Sequence, residues 1–387
     1  MIASLSPIPR TDFIALADQG YWIDPEALRH EAEFADLVLQ IRNKQCSLSF
    51  PAEWLEDQRA HFIQKFKTRM DESELDQQLC AIFSAFERSS YLSVITGPPG
   101  AAKSTITSLW ARIAHIRHPD LHVVLTTQEQ TALQRLHDKV GLPHMSSWVV
   151  EEALQQTWPE NAVIVIDEAG IFSTEMLARL LRHALESKAA KIILIGDDKQ
   201  LVSNAPGQPF RWLCEQKETD IIELPQSFRQ KNLWLRQAVQ SLYKEDITEA
   251  VRHMPTHFVT HQTMLDDIAP IIAEAEADNT LILTHGMDNA KEMIADLYPD
   301  FRVLSLAEAQ GLAIDRVILL ICQKINLAEL LVGCSRQRHD LDLFIDQAVY
   351  KDADDFTQRI DPYPTHLMAL DLVSAEELLH IAQQNAA

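Results

Sequence analysis

Lys103 and Ser104 close the run Gly97-Pro-Pro-Gly-Ala-Ala-Lys-Ser104, and an amine and a hydroxyl behind a glycine-bearing loop are what a polyphosphate site requires. The apolar stretch Leu92-Ser-Val-Ile-Thr96 just before it predicts a strand that delivers the loop. A helix beginning near Lys103 would turn the positive end of its dipole toward the anion. In that arrangement Gly97, Pro98, Pro99, Gly100, Ala101, Ala102 and Thr105 belong to the cradle, Lys103 reaches the β- and γ-phosphates, and Ser104 holds Mg²⁺. Ala102 stands where the pattern G-x-x-x-x-G-K-[ST] has its second glycine. If φ is positive there, alanine costs on the order of 1 kcal/mol. Taken alone, the string is also what a Gly/Pro turn between a strand and a helix looks like.

A magnesium polyphosphate needs carboxylates, and Asp167-Glu168 follow Val163-Ile-Val-Ile166, four β-branched residues that predict a strand buried on both faces of a parallel sheet. Asp167 would hold the metal through water, and Glu168 would orient and deprotonate an attacking water. Either acid by itself could cap a helix starting near Ser173; the pair, behind a buried strand and downstream of Lys103, favours the site. A third strand, Lys191-Ile-Ile-Leu-Ile-Gly196, ends in Asp197-Asp198-Lys199-Gln200-Leu201.

With that last string, and with Ala205-Pro-Gly-Gln-Pro-Phe210 after it, the chain resembles the superfamily 1 helicases, in the branch of the RecD-like enzymes and the TraI-type helicase domain of conjugative relaxases. The resemblance runs from about Glu74 to Ile345 and implies an ATPase with Mg²⁺, built from two RecA-like parallel-sheet domains of the α/β class. It assigns Gln78, in the string Gln78-Leu-Cys-Ala-Ile82, to the adenine edge and Gln200 to sensing the γ-phosphate. Thr126 and Thr127, at the end of a predicted strand, become nucleic-acid contacts, and Phe210 a ring on which a base could stack, as Trp212 and Phe228 could too. Arg229, in Glu223-Leu-Pro-Gln-Ser-Phe-Arg229-Gln230, and Arg336, in Leu331-Val-Gly-Cys-Ser335-Arg336, become the two arginines that neutralise charge on the transferred phosphoryl group. Gln310 and Gly311 match the end of the family's T-x-H-x-x-Q-G segment, although Ser305-Leu-Ala-Glu-Ala-Gln310-Gly311 lacks its histidine.

The sequence departs from the family elsewhere as well. The stretch between Thr284 and Gln310 has no room for an inserted β-barrel, nor that between Thr126 and Val163 for a wedge hairpin, and no histidine cluster with a nucleophilic tyrosine stands in for a relaxase domain.

Before those elements come three helical segments, about 24–45, 51–69 and 73–86, so the expected organisation is a helical N-terminal region (1–73), a first RecA-like domain (74–218) and a second with an acidic extension (219–387). In the second domain, strands are expected around Ile221, Phe258, Leu281, Val303, Val317 and Leu343. At 387 residues with 47% apolar content the chain can bury a core in each domain. No apolar stretch has the length of a membrane helix and no secretory signal is visible, while five scattered cysteines fit a reducing compartment; a cytoplasmic protein is expected. His253, His257 and His261 are evenly spaced but interrupted by Pro255, which argues against a metal site.

The net charge of −22 weighs against tight autonomous nucleic-acid binding, since such affinity comes largely from cations displacing counterions. Three functions stay open on the sequence. The first is an ATP-dependent translocase or helicase on single-stranded nucleic acid, DNA moving 5′ to 3′ by resemblance. The second is an ATP-driven switch acting on a protein partner, and the third a nucleotide-binding protein with little turnover.

Overall fold

A computed structural model describes residues 14–16, 21–67, 72–199, 206–286, 290–309, 311–363 and 368–385. Gln200 and Gln310 lie outside the described residues. The strands are β1 (Ile14–Leu16), β2 (Tyr21–Ile23), β3 (Leu92–Thr96), β4 (Val123–Thr127), β5 (Met145–Val149), β6 (Val163–Ile166), β7 (Lys191–Gly196), β8 (Asp220–Glu223), β9 (Thr256–Val259), β10 (Thr280–His285), β11 (Arg302–Ser305), β12 (Ile314–Ile321) and β13 (Gln337–Asp346). The first five helices are α1 (Pro25–Arg42), α2 (Ala52–Phe66), α3 (Glu72–Glu87), α4 (Lys103–Arg117) and α5 (Gln130–Val140).

Two parallel sheets carry the molecule, six strands in the order β5-β4-β6-β7-β3-β8 and five in the order β11-β10-β12-β13-β9. Both are covered on two faces by helices, the arrangement that lets strands be apolar throughout. In β6, Val163 and Val165 enter one core with α3, α4 and α5, whereas Ile164 and Ile166 enter the other with α1 and the helix Thr174–Glu186. The two-residue period of a strand thus divides one apolar run between two cores. The fold is the expected α/β pair of parallel-sheet domains with a helical N-terminal region. Asp24 accepts from the Glu26 amide at 2.9 Å and caps α1, with Pro25 in the first turn where its missing N–H is harmless.

The boundaries differ from the expected ones at three places. β8, with Ile221, pairs with β3 and completes the first sheet, so the crossing to the second domain comes after Glu223 and not at 218. α1 is no separate module: Leu28, Phe34, Leu37 and Val38 join the core of the first sheet. The segment from Met368 to Gln384 returns to that same core, where Met368, Leu370 and Leu378 are buried, instead of extending the second domain. Trp212 donates to the Leu370 carbonyl at 3.0 Å and Arg211 pairs with Asp371 at 2.9 Å, which ties this segment down. Contacts this remote in sequence leave no local signal.

Candidate nucleotide site between the two domains

The loop Gly97 to Ala102 joins β3 to α4, at the carboxyl end of the first sheet where open α/β sheets place ligands. Ala102 has φ +69°, so the missing glycine falls at a left-handed position. Gly100, at φ +86°, is glycine for a second reason: an added Cβ would stand 2.5 Å from Arg229 Cβ and 2.6 Å from Ser227 Oγ. The loop is stitched to the arginine segment, with Ser227 Oγ donating to the Pro99 carbonyl at 2.7 Å and the Phe228 amide to the Gly100 carbonyl at 3.0 Å. Lys103 Nζ donates to the carbonyls of Gly97 and Pro98 at 2.6 and 3.3 Å, folded over the cradle it would share with phosphates.

A cavity of about 640 Å³ brings Gly100, Ala102, Lys103, Ser104, Asp167, Glu168, Arg229, Gly311 and Arg336 together. Asp167, at the end of β6, accepts from the Glu168 amide at 3.0 Å; burial and then the Glu168 charge push its pKa up to about 7. Glu168 itself sits at φ +54°, a left-handed conformation that costs a non-glycine residue about 1–2 kcal/mol and here aims the carboxylate into the cavity. Asp197, at the end of the adjacent β7, is buried too, and its pKa rises to about 7 through burial against the pull of Lys103.

Arg229 and Arg336 come from beyond the first sheet and both are enclosed. Arg336, 1% exposed, donates to Ser335 Oγ at 2.8 Å and to the Val332 carbonyl at 2.9 Å. Arg229 donates to the Ser335 carbonyl at 2.7 Å. Burial lowers the Arg336 pKa to about 10; burial and then the neighbouring Arg336 charge lower that of Arg229 to about 9, so both stay charged near neutral pH. Among the described residues neither makes an ion pair. Two guanidinium groups, one buried and one part-buried, held only by neutral oxygens are costly unless an anion joins them.

Gln78 lines a neighbouring cavity of about 500 Å³ with Phe66, Thr105 and Arg112. Its Nε2 donates to Glu74 at 3.2 Å and its Oε1, fully buried, has no partner, as an acceptor kept for an adenine amine would. Ala101 is buried under the loop, and Thr105 Oγ1 accepts from Lys139 at 3.1 Å. Taken together, the donor set fits a magnesium nucleotide: a buried acid in one cavity with Ser104, a lysine over the loop, two arginines without an ion-pair partner and an orphaned amide oxygen.

The expected nucleic-acid residues sit elsewhere. Phe210 is 1% exposed and its ring packs against Gly196, where a Cβ would come within 2.8 Å of it. Trp212 and Phe228 are buried as well, so all three rings serve the core and none is a stacking platform in this conformation. Thr126 and Thr127 are buried with unpartnered hydroxyls, turned inward at the end of β4. The histidines scatter: His253 meets Glu249 at 3.0 Å, His257 stacks on Phe344, and His261 meets Asp346 at 3.1 Å. Sequence reasoning missed Arg135 and Lys139, which α5 presents to the nucleotide cavity four residues apart on one face. Nothing local in the sequence marks that face of α5 as the one turned toward the cavity.

Residues 75–263 match the AAA domain family. A conjugal transfer protein TraA of Agrobacterium fabrum is 23% identical over 254 residues, which are 62% of this chain and 23% of that protein. A TraA of Rhizobium radiobacter is 24% identical over 57% of this chain and 20% of its own length. The chain therefore spans about a fifth of the length of the curated relatives it matches. Among solved structures, a Pif1 helicase from Bacteroides in complex with ADP-AlF3 and single-stranded DNA aligns with a TM-score of 0.47 at 12% identity, over 82% of this chain and 98% of that one. In its ordered motifs, in the domain match over residues 75–263 and in its conjugal-transfer relatives, the chain is similar to the superfamily 1 helicases of the RecD-like, TraI-type branch.

Proposed function

We propose that this chain is an ATP-dependent motor that moves along single-stranded nucleic acid, DNA in the 5′ to 3′ direction on the family's pattern. The observation that carries the reading is the pair of guanidinium groups without an ion-pair partner, buried Arg336 and part-buried Arg229, facing the same cavity as Lys103, Asp167 and Glu168. Charge on a transferred phosphoryl group would satisfy both, and the two sit on segments that follow the first sheet, so their engagement draws the domains together.

Each residue then has a task. The loop amides and Lys103 would bind the β- and γ-phosphates, Gln78 Oε1 would accept from the base, and Ser104 and Asp167 would hold Mg²⁺. The metal supplies neutralisation of phosphate oxygens when bound. Glu168 takes the proton of the attacking water, and Arg229 and Arg336 stabilise the charge that develops. Gln200 and Gln310 would report the γ-phosphate to the strand-binding face; the buried Thr126 and Thr127 would support that face from below.

The experiment is ATP hydrolysis by the whole chain with and without single-stranded DNA or RNA, at low and moderate salt. Stimulation by single strands, and its loss in Lys103→Ala, is expected. Hydrolysis indifferent to every nucleic acid would turn the reading toward a protein-directed switch, and no hydrolysis at all toward a nucleotide-binding protein without turnover.

A further inference from the structure

Two cavities meet beside α5. The first, about 640 Å³, holds Lys103, Asp167 and the two arginines; the second, about 500 Å³, holds Phe66 and Gln78. Glu74 and Lys139 line both, so they stand at the junction. A nucleotide with its base beside Gln78 Oε1 and its β- and γ-phosphates at Lys103 must pass its ribose and α-phosphate between these two residues. On the reading given under Proposed function, we infer that Lys139 is a nucleotide-binding residue that holds the α-phosphate.

The lysine is built for an anion at that place. Its Nζ donates to Thr105 Oγ1 at 3.1 Å, which sets the ammonium beside the first turn of α4, directly after the phosphate loop. Among the described residues it makes no ion pair, although partial burial lowers its pKa, with Asp167 pulling the other way. Its backbone is fixed: the Lys139 carbonyl accepts from Ser108 Oγ at 2.7 Å and from Arg112. The side chain is therefore presented by a helix pinned to α4, not by a loop. Ala132, Arg135 and Leu136 line the first cavity along the same helix, with Arg135 donating onward to the Gly311 carbonyl at 3.1 Å. An α-phosphate carries its charge in ADP and ATP alike, so Lys139 contributes equally to both, unlike an arginine at the γ-phosphate.

Titration calorimetry of the whole chain with magnesium ADP and with a non-hydrolysable ATP analogue tests this in wild type, Lys139→Met, Lys139→Gln and Lys139→Arg. Met and Gln are expected to weaken both nucleotides by the same factor, about tenfold, the scale of one lost charge-assisted hydrogen bond. Lys139→Arg restores most of the affinity, and Arg229→Ala weakens only the ATP analogue. Met keeps the length of the side chain without the charge and Gln keeps a shorter polar donor, so a loss common to both, recovered in Lys139→Arg, reads the charge itself. Unchanged ADP affinity in Met and Gln, or a loss confined to the ATP analogue, overturns the inference. A wild-type chain that binds neither nucleotide overturns instead the reading of the site on which it rests.

Discussion

At the scale of single residues, the cavity concentrates backbone strain. Ala102 and Glu168, both at left-handed φ, face one another's chemistry across the phosphate cradle. For Glu168 the conformation aims a carboxylate, so the strain has a use; for Ala102 it positions only backbone, and glycine would hold it without a Cβ clash. Ala102→Gly is expected to stabilise the chain by up to about 1 kcal/mol, part of the gain being offset by the freer unfolded state, as read from the denaturant midpoint. A destabilised Ala102→Gly would show that the alanine methyl packs usefully and that the position is not strained. The lysine, the two acids and both arginines were legible from their order and spacing because each motif is local. Lys139 and Asp197 were not, because nothing beside them in sequence marks the junction of two cavities or the burial that raises an acid's pKa.

Among the elements, α1 and the C-terminal helix Ala375–Gln384 show where local pattern falls short. The apolar face of α1 shows as helical periodicity, whereas the C-terminal stretch is expected only as an acidic extension; the partner that each covers has no local signal, and both close over the first sheet. The joint contains an acid: Glu31, 5% exposed, accepts from the Leu370 amide at 3.2 Å. Burial is the main reason its pKa is raised from 4.5 to about 7. The folded state therefore holds the proton more tightly than the unfolded chain. The stability this contributes is full below pH 4.5 and is lost as pH climbs through about 7. Glu31→Gln, which mimics the protonated form and keeps an acceptor for Leu370, is expected to match wild type near pH 4.5 and to exceed it at pH 8 by up to about 3 kcal/mol. Equal melting curves at both pH values would show that the carboxylate is solvated and the C-terminal segment only loosely docked.

For the molecule as a whole, the chain crosses between domains after Glu223 and returns to the first at Met368, so the two sheets are tied at two points around one cleft. Lys199, just past β7, donates to the Tyr243 carbonyl at 2.9 Å and lies over the Tyr243 and Tyr363 rings, a second-domain contact next to the expected γ-phosphate sensor. The two-domain plan was readable from alternating strands and helices; the closeness of the arginines to the phosphate loop depends on how the domains meet, which no periodicity encodes. On the proposed function, strand binding on a chain of charge −22 would respond to salt, and nucleotide binding inside a cleft lined by Lys103, Lys139, Arg229 and Arg336 much less so. On the proposed function the second domain completes the catalytic site, and steady-state ATP hydrolysis by Arg336→Ala, set against its ADP affinity, measures this. The expected result is a rate reduced by about 10³-fold or more with ADP bound as tightly as in wild type. A rate within a few-fold of wild type would contradict the account, because the buried guanidinium would then be a structural fixture with no part in the chemistry.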